Sequence, residues 1–169
     1  DSQEKLNIAL FGLGRAGKFH IQSIQSIPEL NLKCVMDLNG SSQGVAKDLE
    51  CSYSTDIDEP LSQNDIDAVI IATPTKEHHQ QIQAALKANK PVFSEKPLGN
   101  SLNEIDSCFE LAKQTNLPLF IGFNRRFDPS FSSLASDVKD SKVGQLQMLR
   151  VTSRDSPLPT MDYISKSNG

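Results

Sequence analysis

Apolar positions along this chain follow two alternating patterns. Short runs dominated by apolar residues, at Leu6–Phe11, Leu32–Met36, Ala68–Ala72, Val92–Ser94 and Leu119–Phe123, have the length and density of strands buried on both faces. Between them the apolar positions recur every three or four residues. The first such stretch, Phe19, Ile21, Ile24 and Ile27, predicts a helix that Pro28 stops. The same reasoning predicts helices from Gly40-Ser41-Ser42 to about Leu49, over Glu77–Ala88 and over Leu102–Gln114, the second closed by Asn89-Lys90-Pro91. Cys51–Ser54 reads as one more short strand and Asp56–Gln63 as a turn or short helix. Strand and helix alternating through short connections predict an α/β fold: a doubly wound, mainly parallel sheet.

The pattern changes after Phe123. The polar stretch Asn124-Arg125-Arg126-Phe127-Asp128-Pro129 leads into a helix over Ser130–Lys139. Gly144 then precedes an expected strand, Gln145–Arg154, in which Leu146, Met148 and Val151 alternate imperfectly with polar residues. Asp155–Gly169 is rich in Pro, Ser and Asn and shows no finished element. One helix and one strand do not bury a sheet face. The expected division is therefore a complete domain over residues 1–123 and the incomplete start of a second domain over 124–169.

The sharpest chemical signal lies at the end of the first strand. Ile8 to Phe11 runs directly into Gly12-Leu13-Gly14-Arg15-Ala16-Gly17 and then into the first helical pattern. Strand, Gly-x-Gly-x-x-Gly and helix together are the arrangement that holds a dinucleotide pyrophosphate. Gly12 supplies the tight turn, Gly14 lets backbone approach phosphate, and Gly17 lets the helix pack close to the strand. The helix N-terminus then presents free N–H groups and its positive dipole end to the anion. The second strand ends in Asp37, 20 residues after Gly17, where an acid can accept hydrogen bonds from the adenosine ribose. In a doubly wound sheet, ligands bind beyond the carboxyl ends of the strands. The glycine turn, Asp37, Thr73-Pro74-Thr75 and Glu95-Lys96-Pro97 all fall at such ends and should line one crevice.

Composition narrows the picture rather than redirecting it. With 37% hydrophobic and 22% charged residues the chain reads as an ordinary globular protein, and no apolar run approaches the length of a membrane span. The polar start, Asp1 to Lys5, does not resemble a signal peptide, and it lacks an initiator Met, which points to processing or trimming. A formal net charge of −4 argues against a general nucleic-acid binder. The last 47 residues nevertheless carry a small positive excess, which reads either as an anion-attracting patch or as a solvated face. Three cysteines without a Cys-x-x-Cys pair suggest reduced thiols in a reducing, cytoplasmic compartment, with neither a metal site nor a disulfide framework.

Lys96 is the sharpest candidate for catalysis. A lysine at a strand end, facing the cofactor crevice beside a backbone-fixing proline, can meet a substrate hydroxyl and act as an acid or base. On spacing alone the favoured reading is a surface lysine in a turn.

Four ordered motifs carry a family resemblance: Gly-x-Gly-Arg-x-Gly-x-x-His (Gly12 to His20), Ala-Thr-Pro-Thr-x-x-His (Ala72 to His78), Glu-Lys-Pro-Leu (Glu95 to Leu98) and Gly-Phe-Asn-Arg-Arg-Phe-Asp-Pro (Gly122 to Pro129). Over essentially the whole chain the sequence resembles the glucose–fructose oxidoreductase/inositol dehydrogenase/MocA family, the inositol 2-dehydrogenases most of all. The resemblance implies a Rossmann domain followed by a C-terminal α/β domain with a large open sheet, which serves substrate and oligomerisation. It also implies NAD(P)-dependent oxidation of a ring hydroxyl on a polyol or sugar, and a homo-oligomeric parent protein.

By position Lys96 matches the family's catalytic lysine, with Lys96–Pro97 a candidate cis peptide. The family's base is a histidine on the second domain with an aspartate four residues before it. That block is expected beyond Gly169, and no residue here stands in for it. His20 reads as a packed helix residue, and His78 is placed near the nicotinamide ribose. Arg15 either pairs with phosphate or is solvated, while Arg125 or Arg126 is placed to approach nicotinamide or substrate. The full set assigned to the cofactor is Gly12, Leu13, Gly14, Arg15, Ala16, Gly17, Asp37, Thr73, Pro74, Thr75, His78, Glu95, Lys96 and Arg125.

Leu38 and Asn39 follow Asp37 without a cation to receive a 2′-phosphate, which favours NAD over NADP. Two other readings stay open: a dinucleotide-binding module without turnover, and a family enzyme acting on a different substrate class, such as a dihydrodiol or biliverdin.

Overall fold

The computed structural model describes residues 5–38, 42–142, 144–154, 158, 161 and 164. Contacts divide the chain into two compact units, Asp1–Gly122 and Phe123–Gly169.

In the first unit six strands form one sheet: β1 (Leu6–Phe11), β2 (Leu30–Met36), β3 (Ser52–Ser54), β4 (Ala68–Ile71), β5 (Val92–Ser94) and β6 (Leu119–Ile121). Their spatial order is β3-β2-β1-β4-β5-β6, and every neighbouring pair is parallel. This is the order of the doubly wound Rossmann sheet, in which the direction of winding reverses between β1 and β4. Each strand feeds a helix, α1 (Arg15–Ser26), α2 (Gln43–Asp48), α3 (Asp58–Leu61), α4 (Thr75–Lys87) and α5 (Leu102–Thr115), except β6, which ends the unit.

The apolar run Ile8–Phe11 is buried on both sides, as a strand in mid-sheet must be. Side chains alternate across the pleat. Ala9 and Phe11 join Met36, Val69 and Ile71 in a core with Ile82 and Leu86 of α4 and Cys108 of α5. Leu10 and Val35 face the opposite layer, where Ile21 of α1 and Ala46 of α2 close over them. Burial raises the pKa of all three cysteine thiols, which holds them as inert thiols at neutral pH.

Element ends follow local chemistry. Helix α4 begins at Thr75 rather than Glu77, because Pro74 sits at the N-cap in extended geometry and the chain turns helical directly after it. Ser101 caps α5 by accepting the Glu104 N–H, and Asn116 ends it in the left-handed region with φ 54°. The expected helix start at Gly40-Ser41 lies outside the described residues.

The second unit begins with a 3-10 turn, Asn124–Phe127, and continues as α6 (Pro129–Lys139). Asp128 caps α6 through bonds to the Ser130 and Phe131 N–H groups, and Pro129 occupies the first helical position. The strand expected over Gln145–Arg154 does not form: the described residues 144–154 hold no ladder, and Met148 and Val151 are exposed. A strand is stable only against a partner that takes its backbone bonds, and its period-2 pattern was too imperfect to specify one.

One buried cation ties the sheet's lower end together. Lys90, directly before β5, donates from Nζ to the Gln63 and Ile66 carbonyls at 2.8 and 2.6 Å. Lys90→Met keeps the bulk but strands both oxygens, and should cost about 1–3 kcal/mol, read as a lower urea midpoint at unchanged m-value. A loss below about 0.5 kcal/mol would show that water replaces the ammonium.

Candidate cofactor and catalytic site

The turn after β1 is shaped by what a side chain would strike. Gly12 has φ +94°, and a Cβ there would lie 2.6 Å from the Ala72 carbonyl oxygen at the end of β4. Only glycine suits both conditions. At Gly17 a Cβ would come 2.0 Å from the Gly12 carbonyl oxygen, so α1 lies against the turn with no room for a methyl. Gly14 is the opposite case, since no heavy atom lies within 4 Å of its Cβ position. It is the N-cap of α1 and supplies no side-chain hydrogen bond to the helix end. The three positions thus match a tight turn, an open approach for a ligand, and a close helix–strand contact. Together they fit a dinucleotide pyrophosphate.

Asp37 adds to the turn directly. Its Oδ2 accepts the Leu13 N–H at 2.6 Å, so the end of β2 braces the glycine turn. The Asp37 carbonyl accepts from the Tyr53 hydroxyl at 2.8 Å, and its N–H donates to the Ser54 carbonyl. The carboxylate is half-buried beside the turn, the place where an adenosine ribose would need an acceptor. Arg15 is exposed and Ala16 half-buried in the first turn of α1. Asn39 lies outside the described residues.

The far side of the crevice is built at the ends of β4 and β5. Thr73 is half-buried and donates from Oγ1 to Gln81 Oε1 at 2.6 Å, which ties the loop to α4. Pro74 and Thr75 open that helix. Glu95 and Lys96 follow β5, and the Lys96–Pro97 bond is cis. The Lys96 side chain is exposed. Arg125 belongs to the second unit, where its guanidinium lies 5.0 Å over the Phe131 ring.

Two histidines hold positions that spacing did not reveal. His20 Nε2 lies 2.8 Å from Glu95 Oε1, and its ring packs edge-on against Phe93 with centroids 5.4 Å apart. The available signal was helical phase: His20 stands three residues after Gly17, on the flank of the face that meets the sheet. His78 is 1% exposed, and both ring nitrogens meet backbone oxygens: Nδ1 that of Pro97 at 2.6 Å and Nε2 that of Thr73 at 2.7 Å.

Known proteins resemble this chain in sequence and fold. The family model of the oxidoreductases with an NAD-binding Rossmann fold matches residues 6–123. The chain belongs to the glucose–fructose oxidoreductase/inositol dehydrogenase/MocA family. It is 37% identical over 162 residues to the uncharacterized oxidoreductase YrbE of Bacillus subtilis, covering 95% of this chain and 48% of that one. It is 34% identical over 165 residues to the inositol 2-dehydrogenase of Rhizobium meliloti, covering 97% and 50%. The crystal structure of scyllo-inositol dehydrogenase from Lactobacillus casei with bound NAD(H) and scyllo-inositol superposes with a TM-score of 0.79 at 35% identity. That match covers 83% of this chain and 43% of that one. The chain spans about half the length of the curated relatives it matches.

The glycine geometry separates folding from binding. Gly14→Ala should melt within about 2 °C of the wild type yet bind NADH at least about tenfold more weakly by calorimetry, because the methyl enters only the ligand's path. Gly17→Ala should lose stability outright, by more than about 2 kcal/mol. Equal effects of the two changes on stability would contradict this division.

Proposed function

We propose that this chain forms the cofactor half of an NAD-dependent dehydrogenase that oxidises a ring hydroxyl of inositol or a related polyol or sugar. The observation that carries the reading is the joint placement of a pyrophosphate-shaped glycine turn after β1 and a lysine-bearing turn after β5, at the same edge of one sheet with only β4 between them. The likeness to inositol dehydrogenases over nearly the whole chain supports the substrate class. The nicotinamide, when bound, accepts a hydride from the carbinol carbon.

The chain's own residues divide the remaining work. Gly12 to Gly17 and the N-terminus of α1 receive the pyrophosphate, with Leu13, Arg15 and Ala16 lining it. Asp37 accepts from the adenosine ribose hydroxyls. The same carboxylate repels a 2′-phosphate, which favours NAD over NADP. Thr73, Pro74 and Thr75 border the nicotinamide ribose on the other side, with His78 behind them and Glu95 beside Lys96. Lys96 donates a hydrogen bond to the reacting oxygen and stabilises charge as the hydroxyl proton leaves to a base. Arg125 is assigned to the nicotinamide or substrate side. The division into a cofactor domain over 1–123 and the start of a substrate and oligomerisation domain over 124–169 belongs to the same reading, as do a homo-oligomeric assembly and a cytoplasmic location.

In the full-length protein, with myo-inositol and NAD, Lys96→Ala should lower kcat at least about a hundredfold while NADH affinity stays within about threefold. Normal turnover in that variant would sink the assignment. Asp37→Ala should raise the ratio of NADP to NAD in kcat/KM by at least about tenfold. An unchanged ratio would remove Asp37 from the ribose site.

A further inference from the structure

Lys96 stands in a turn that two histidines grip from opposite sides, each sent from a helix that opens on the cofactor crevice. His20 comes from α1, one turn beyond the glycine loop, and reaches Glu95 on one side of the lysine. His78 comes from the first turn of α4 and reaches the carbonyl of Pro97 on the other side. We propose that His20 and His78 are positioning residues that together fix the Glu95–Lys96–Pro97 turn, and with it the direction in which Lys96 presents its ammonium. The proposal rests on the reading of Lys96 given above.

Each grip is more specific than packing requires. The Glu95 backbone N–H already donates to the Ile71 carbonyl at 2.9 Å, which sets the end of β5. Its carboxylate is separately confined: His20 Nε2–H donates to it on one side. On the other, a Cβ at Gly122 would approach its oxygens to 3.2–3.3 Å. Phe93 holds the His20 ring edge-on, so the donor direction is set before Glu95 arrives.

His78 acts from a site almost closed to water. Its Nδ1 lies 2.6 Å from the Pro97 carbonyl oxygen and its Nε2 2.7 Å from that of Thr73, so one ring spans the end of β4 and the residue next to the lysine. Carbonyl oxygens only accept, so the ring N–H is the donor of that clamp.

The test uses the whole protein and two readouts. His20→Leu keeps bulk but removes the donor, and His20→Gln restores an N–H. The expected outcome is a fall in kcat of at least about tenfold for His20→Leu, with KM for NAD within about twofold. His20→Gln should recover most of the loss. Amide exchange at Glu95 and Lys96 should quicken at least about fivefold in His20→Leu and not in His20→Gln. Because a His78 substitution can simply unfold the buried site, His78 is read in the wild type, by nitrogen-15 spectra in which its ring N–H is protected from exchange with water. Unchanged kcat and exchange in His20→Leu, or a His78 ring N–H that exchanges as fast as one in solvent, would overturn the proposal. Absence of polyol oxidation by the wild type would instead refute the functional reading, while ring spectra and exchange would still judge the clamp.

Discussion

The whole site hangs on a contact with no room for a methyl group. Where α1 leaves the first strand, Gly17 lies so close to the Gly12 carbonyl that the helix axis is pinned to the turn. Gly12 in turn lies against the end of β4, where a methyl would also clash. These two approaches bring three elements to one point, at the place where the sheet reverses its winding. Everything with chemical potential in the first unit is arranged around that point. The helix end faces it, Asp37 braces it from β2, and the ends of β4 and β5 supply the opposite side.

Much of this was legible in the chain, because the strongest sequence signals are those forced by backbone sterics. Ile8–Phe11 had to be a buried stretch of strand, and glycines at 12, 14 and 17 leave few alternatives once a helix pattern follows. The parallel sheet followed from alternation alone. Other features left no local signal. The Gln145–Arg154 strand was read from an imperfect period-2 pattern, and periodicity does not say whether a partner strand exists. The bonds His20–Glu95 and His78–Pro97 join residues 75 and 19 positions apart. A histidine in an amphipathic helix looks the same whether it meets solvent, a core or a carboxylate. Lys90 gave no hint of its two carbonyls for the same reason.

The division of labour among the polar groups has a common logic. The groups proposed to meet the ligand, such as Gly14, Arg15 and Lys96, are exposed. Those proposed to orient them, such as His78 and the Thr73 hydroxyl, are wholly or partly buried and bond to the protein itself. A rigid shell of this kind limits how far the exposed groups wander before substrate arrives, and lost orientation is among the costliest defects in catalysis.

The N-terminus of α1 opens at Gly14 with no side chain to close it. A helix start left in that condition is a small debt in the folded state, and an anion bound there settles it. Any ligand held only by the folded chain shifts the folding equilibrium, by about 2.7 kcal/mol when its concentration is a hundred times its Kd. A dinucleotide seated at this turn would thereby add to the stability of the fold as well as to its chemistry.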